Sequence, residues 1–194
     1  MTRRILILNG HPDARPERLR AALAGSYAQG ALLAGHEVRR IDVGALDFPL
    51  LRSADEYRSA ENVPAIAAAR EDLMWANHIM VVFPLWLGAT PALLKGFLEQ
   101  VLKQGLADEG QGQRGFAPQL KGKSARIVTT MGMPAAIFRL VFGAHGIKAL
   151  ERGILMISGV HPLRHTLLGS VEARSPTKRD RWLRYMERLG RGSA

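Results

Sequence analysis

Apolar residues fall in short unbroken runs along this chain, separated by longer stretches with helical spacing. Ile5–Leu8 reads ILIL and stops abruptly at Asn9, Gly10, His11 and Pro12. A continuous run of that kind predicts a strand buried on both faces. Arg18 to Leu33 then repeats apolar residues at helical intervals through Leu19, Ala22, Leu23, Tyr27 and Ala31. Glu37–Asp42 reads as a second strand, and Pro64 suits the first turn of a helix running to about Asn77. His78–Phe83 gives a third strand, closed by Pro84, and Pro91 opens a helix from Ala92 to Gln104. Ser124–Thr130 is the fourth strand and the apolar run Ile154–Val160 is expected to be the fifth. Between them Ala135–Arg152 predicts a helix interrupted by Gly143 and Gly146, and Ser175-Pro176 caps a final helix.

Strands alternating with helices imply a parallel sheet covered on both faces by right-handed crossovers. No internal repeat stands out, and the glycine-rich stretch Asp108–Gln119 reads as an excursion between helix and strand, so one domain is expected. In open sheets of this class ligands bind beyond the carboxyl ends of the strands, where strand order reverses. Three of those ends are chemically unusual: NGHP after the first strand, PLWLGATP (Pro84–Pro91) after the third, and TTMGMP (Thr129–Pro134) after the fourth. Together they offer backbone N–H groups, hydroxyls and a flat apolar face, which suits a large planar cofactor carrying a phosphate.

Composition removes several alternatives. The 194 residues include no cysteine, so thiol catalysis, disulfides and thiolate metal sites are excluded. A cysteine-free chain fits a reducing cytosol, and a cytoplasmic location is expected. The basic start resembles a signal peptide, but its apolar run is too short, and no stretch approaches the ~20 apolar residues of a membrane span. A net charge of +10 raises nucleic acid as a partner. Much of that charge, however, sits between Arg174 and Arg191, where seven basic residues face two acidic ones around a helix that also carries Trp182, Leu183, Tyr185, Met186 and Leu189. A docked terminal helix is the expected reading, with no nucleic-acid partner. An anionic surface, membrane or acidic protein, stays open.

The residues at these loops carry a resemblance. Asn9-Gly10-His11-Pro12, the block PLWLGATPALLKGFLEQVL (Pro84–Leu102), and Thr129-Thr130 with Gly132 resemble the flavodoxin-like NAD(P)H:quinone oxidoreductase family, which includes ancillary oxidoreductases of glutathione-gated potassium efflux. Gly105 to Ala107 and LKGKSARIVTT (Leu120–Thr130) match the family's lead into its fourth strand. The resemblance implies a flavodoxin-like, three-layer, doubly wound α/β fold with a five-stranded parallel sheet in the order 2-1-3-4-5. It also implies a bound flavin, FMN with FAD as the alternative. His11 would meet the ribityl and phosphate portion, Pro84, Leu85, Trp86, Leu87 and Gly88 would hold the isoalloxazine, and Thr129, Thr130 and Gly132 would border its pyrimidine side. His145 lies where the family carries a histidine that balances charge during hydride transfer, a role that suits a near-neutral pKa. The implied activity is two-electron, ping-pong transfer from NAD(P)H through flavin to a quinone-like acceptor, in a homodimer.

Some positions depart from the family pattern. Pro16, Glu17 and Arg18 stand where members often place a serine and an asparagine on the flavin phosphate. Proline removes an N–H donor and Glu17 repels the anion, so Arg15 or Arg18 is expected to supply a compensating cation. Met131-Gly132 and Ile137-Phe138 replace a pair of glycines and a later tyrosine. Arg139 and Lys148 could attract the 2′-phosphate of NADPH. No nucleophile elbow is present, and Gly110 and Gly112 lie in a polar loop rather than after a strand, which excludes a direct dinucleotide fingerprint. His36, His78, His161 and His165 share no metal-ligand spacing and read as structural. For the dimer, Leu93, Leu94, Phe97, Leu98, Leu102, Phe138, Val141 and Phe142 exceed what one helix face needs. The alternative function is a flavin-binding ancillary subunit held peripherally on a membrane transporter through its basic surface.

Overall fold

The computed structural model describes residues 2–13, 15–59, 61, 63–103, 118–172 and 175–192. Five strands, β1 (Arg4–Asn9), β2 (Glu37–Asp42), β3 (His78–Pro84), β4 (Ser124–Thr130) and β5 (Leu163–Leu168), form one parallel sheet in the order β2-β1-β3-β4-β5. Every residue of β3 and β4 is buried, the signature of central strands covered on both faces.

Helices α1 (Leu19–Leu33) and α7 (Pro176–Arg191) cover one face, where Ile5, Ile7, Leu23, Tyr27, Met80, Val82 and Met186 close the core. These two helices touch almost backbone to backbone. A Cβ built on Gly190 would lie 2.1 Å from the Tyr27 carbonyl oxygen, and one on Gly30 would lie 1.9 Å from that of Glu187. Small residues at a crossing are what allow such an approach, so the basic terminal helix is docked, as its sequence predicts. The other face carries α3 (Pro64–Trp75), α4 (Ala92–Leu102), α5 (Ala135–Leu140) and α6 (His145–Leu150), with the short α2 (Ala54–Arg58) outside them.

Three expectations are corrected. Ile154–Val160 is not the fifth strand: Glu151–Met156 continues α6 as a π-type turn. Gly159, at φ +95°, stops it, with the Val160 N–H bonded to the Leu155 carbonyl at 3.0 Å. A short apolar run has no periodicity to separate strand from helix, and the left-handed glycine decides between them. The true β5, LRHTLL, was hidden because an edge strand keeps polar residues such as Arg164 and His165 exposed. Second, Ala135–Arg152 is two helices rather than one interrupted helix, because Gly143 and Ala144 both take positive φ. Third, Leu94, Phe97, Leu98, Leu102 and Phe138 fill the chain's own core instead of a partner surface. Of the eight residues expected at an interface, Val141 and Phe142 are exposed, beside Ile137 and Leu140. The glycine-rich excursion and the Gly105–Ala107 segment lie outside the described residues, apart from Pro118 and Gln119.

Candidate active site

Strand order reverses between β1 and β3, and the carboxyl ends of β1, β3 and β4 finish side by side. Asn9 pairs in register with Val82, and Pro84 with Thr130. The loops carrying His11, Pro84–Gly88 and Thr129–Gly132 therefore share one edge, with neighbouring strands about 4.8 Å apart.

Hydrogen bonds from buried groups fix the first loop. Asn9 donates from Nδ2 to Asp42 at 2.7 Å, and the Gly10 N–H bonds the Val82 carbonyl at 2.8 Å. Gly10 has no room for a side chain, since a Cβ would meet Leu94 at 2.5 Å. Buried His11 accepts at Nδ1 from the Asp13 N–H at 2.8 Å, so the neutral ring carries its proton on Nε2. Burial, then the Arg20 charge, push this imidazole below its ordinary pKa. Its ring stands edge-on to Trp86 with centroids 5.9 Å apart, tying the first loop to the second.

The second loop is a two-residue turn closed by reciprocal Trp86–Ala89 backbone hydrogen bonds of 3.0 Å. Leu87 (φ 48°) and Gly88 (φ 81°) are both left-handed, the requirement of a type I′ turn. Trp86 is half exposed and Leu87 fully so, which leaves a flat apolar surface facing outward. The first turn of α6 supports this loop from beside it: a Cβ on Gly146 would lie 1.9 Å from the Gly88 carbonyl oxygen. His145 is thereby held one residue from the contact, exposed, with its ring over Gly143.

Charge in the phosphate-side loop is distributed differently from the expectation. Asp13 forms 2.7 Å ion pairs with both Arg15 and Arg18, and those guanidinium groups hold its carboxyl well below the usual range. Arg18, the N-cap residue of α1, is therefore held by Asp13, although one carboxylate shared between two guanidinium groups leaves the cluster positive. The cation reaching inward is Arg20, which the sequence reading passed over. Its guanidinium donates to the Thr130 hydroxyl at 3.3 Å, and its Nε is buried with no partner among the described residues. The fully buried Thr129 hydroxyl is likewise unpartnered. Periodicity placed Arg20 on α1 but could not say which side of the helix start faces the strand ends.

These features accommodate a flavin. Unpartnered buried polar atoms need a ligand or water, Arg20 supplies a charge suited to phosphate, and the Trp86–Gly88 turn presents an apolar face with the Leu87 and Gly88 N–H groups unengaged within the described residues. Among those residues no cluster of His, Asp or Glu could hold a metal ion.

Comparison with known proteins agrees with this architecture. Residues 3–189 match the family model described as flavodoxin-like fold. An uncharacterized NAD(P)H oxidoreductase of Haemophilus influenzae is 29% identical over 171 residues, covering 86% of this chain and 83% of that protein. NAD(P)H dehydrogenase [quinone] 1 of Rattus norvegicus is 27% identical over 202 residues, covering 91% of this chain and 72% of its own. Among solved structures, the NAD(P)H:quinone oxidoreductase from Methanothermobacter marburgensis superposes with a TM-score of 0.81 at 19% identity, covering 100% of this chain and 98% of its own.

Proposed function

The chain belongs to the flavodoxin-like fold family, and from that premise we propose that it is a flavin-dependent NAD(P)H oxidoreductase acting on a quinone-type acceptor. The observation that carries this reading is the meeting of three loops at one sheet edge, with an apolar turn on one side and unpartnered Arg20 and Thr129 atoms on the other.

Bound flavin, FMN in the first instance, supplies the two-electron relay between nicotinamide and acceptor. The chain's own residues hold and shield it. Arg20 and the first turn of α1 bind phosphate by charge and by free N–H donors. The left-handed Leu87–Gly88 turn would offer its unengaged N–H groups to the ring, and preorganised donors of this kind stabilise developing charge. Thr129, Thr130 and Gly132 line the opposite edge, and His11 fixes the Trp86 ring. His145, the first residue of α6 and next to the Gly146–Gly88 contact, would hold a proton or a charge beside the flavin. Arg15 and Arg18 lock the loop through Asp13 rather than meeting the ligand.

The working unit of this reading is a homodimer. Met133, Ile137, Leu140, Val141 and Phe142, which follow the third loop, and Leu87 at the tip of the second are all exposed, and exposed apolar residues close together mark an interaction surface. No described helix is long and apolar enough to cross a membrane.

An absorption spectrum of the purified protein, with the released cofactor weighed, tests the binding half. NADPH-driven reduction of a soluble quinone tests the chemistry. Flavin-free protein that takes up neither FMN nor FAD would overturn the proposal. Light scattering at micromolar concentration should give twice the chain mass.

A further inference from the structure

Away from the site, β5 leaves one edge of the sheet unpaired among the described residues. The carbonyls of Pro162 and Leu168 accept from Ala125 and Met131 of the β4 side, at 3.0 and 2.9 Å. In a strand, successive backbone groups alternate in direction, so Leu163, His165 and Leu167 turn their N–H and C=O groups outward. That open edge is the floor of a groove of about 610 Å3. Helix α5 forms one wall and α7 the other, and the lining includes Arg139, His165, Arg181, Trp182, Tyr185 and Arg188 with no carboxylate. The Arg188 guanidinium lies over the Tyr185 ring at 5.8 Å, while the nearby Glu187 is taken by Arg191 at 2.6 Å.

We propose that this groove is a docking slot for an acidic peptide segment, which adds to β5 as a sixth strand with its carboxylates against Arg139, Arg181 and Arg188. Main-chain hydrogen bonds to an open edge give such a mode its affinity, and side-chain pockets its selectivity. Charge on an edge strand also discourages self-association, but that requires only the strand's own residues. Here arginines on two flanking helices converge on the edge, and the slot lies between them. A second copy of the chain is a poor occupant of this groove, because an edge-to-edge pair would set the same Arg139, Arg181 and Arg188 against one another. The inference does not rest on the proposed reductase activity: Arg139 lies on the helix that follows the third site loop, but His165, Arg181 and Arg188 belong to the β5 edge and α7.

Fluorescein-labelled, end-capped hexapeptides test it by anisotropy on the full chain. One alternates Glu and Val, one replaces Glu by Lys, and one keeps the three Glu but carries Pro at two Val positions. The first should bind at least tenfold more tightly than either of the others. In its complex, hydrogen exchange should slow at the Leu163, His165 and Leu167 amides. Arg181→Glu with Arg188→Glu should weaken binding tenfold or more. His165→Pro should do the same, because it removes only an outward N–H at an edge where proline is tolerated. Equal binding of the proline peptide, unprotected edge amides, or variants that bind normally would each overturn the slot. Preference for phosphatidylserine vesicles or single-stranded DNA over the Glu-Val peptide, insensitive to His165→Pro, would overturn it in favour of a general anion surface.

Discussion

Arg20, in the first turn of α1, reaches across to the end of β4 and donates to the Thr130 hydroxyl at 3.3 Å. Helix and strand lie far apart in sequence, and their meeting leaves the Arg20 Nε buried without a partner. Burial, followed by the Arg18 charge, lowers the pKa of this guanidinium, yet it stays charged at neutral pH. A half-buried cation with an unpartnered Nε, beside a helix N-terminus that no side chain caps, is poised for an anion.

Arg20→Gln should therefore raise the Kd for FMN by roughly 10–100-fold, the loss expected for hydrogen bonds to a charged partner. Arg18→Gln should change it by less than about threefold, because that charge is already paired with Asp13 and exposed pairs contribute little. Titrations by quenching of FMN fluorescence, with far-UV circular dichroism to verify folding, measure both. Equal effects would remove Arg20 from the phosphate.

The turn at Gly88 sets the second prediction. A Cβ there meets nothing within 4 Å, so Gly88→Val suffers from backbone strain at φ +81° rather than from a clash. A left-handed L-residue costs roughly 1–2 kcal/mol, and a β-branched one has little freedom to relax. The Trp86–Ala89 turn should distort and FMN binding should fall while the sheet stays folded. Gly146→Ala should act on the same loop from outside, since its Cβ would lie 1.9 Å from the Gly88 carbonyl oxygen. Normal FMN affinity in both variants would count against this turn as the ring platform.

His145→Ala should leave flavin content unchanged and lower NADPH turnover by roughly 10–10³-fold, the range of modest acid–base and electrostatic contributions. The side chain is exposed with its ring over Gly143, and the contact with the Gly88 loop is made by the neighbouring Gly146. Loss of flavin with loss of rate would instead assign it to holding the Gly88 loop. An unchanged rate would make it a residue of the Gly143–Gly146 turn and nothing more.

His78 predicts a pH dependence of stability. It is buried between the Tyr27 hydroxyl at 3.0 Å and the Ser124 hydroxyl at 2.7 Å. Burial first, then the charges of Arg3, Arg126 and Arg164, lower its pKa from 6.5 to about 4. The unfolded chain thus binds this proton more readily than the native one. The stabilisation is complete above about pH 6.5 and is lost as pH falls toward 4, a change on the order of 3 kcal/mol. Urea midpoints should drop steeply across that window, and less steeply in His78→Gln. Parallel curves for the two proteins would show that His78 does not set the slope.

How much of this was legible beforehand differs from element to element. Buried parallel strands such as Ile5–Leu8 and His78–Phe83 announce themselves, because both faces need apolar side chains. Ser124–Thr130 follows the same rule, so the loops bearing His11, Trp86 and Thr130 could be placed from the chain alone, while the strand order came with the family resemblance. Edge strand β5 could not. Its outer side meets water, its residues are mixed, and the apolar run Ile154–Val160 just before it imitates a strand, although Gly159 is left-handed.

The sequence by itself determined the layered fold and the identity of the site loops, since alternation, glycine, proline and apolar runs are local signals of backbone conformation. Only the tertiary structure decided which arginine faces the strand ends. Arg15, Arg18 and Arg20 are equivalent as sequence, each a cation near a helix start. Asp13 pairs with the first two, and the approach of α1 to β4 partly buries the third beside Thr130. The same holds for the groove along β5, whose arginines come from α5 and α7. Charge is written in the chain, but its pairing and its direction depend on neighbours brought together only by folding.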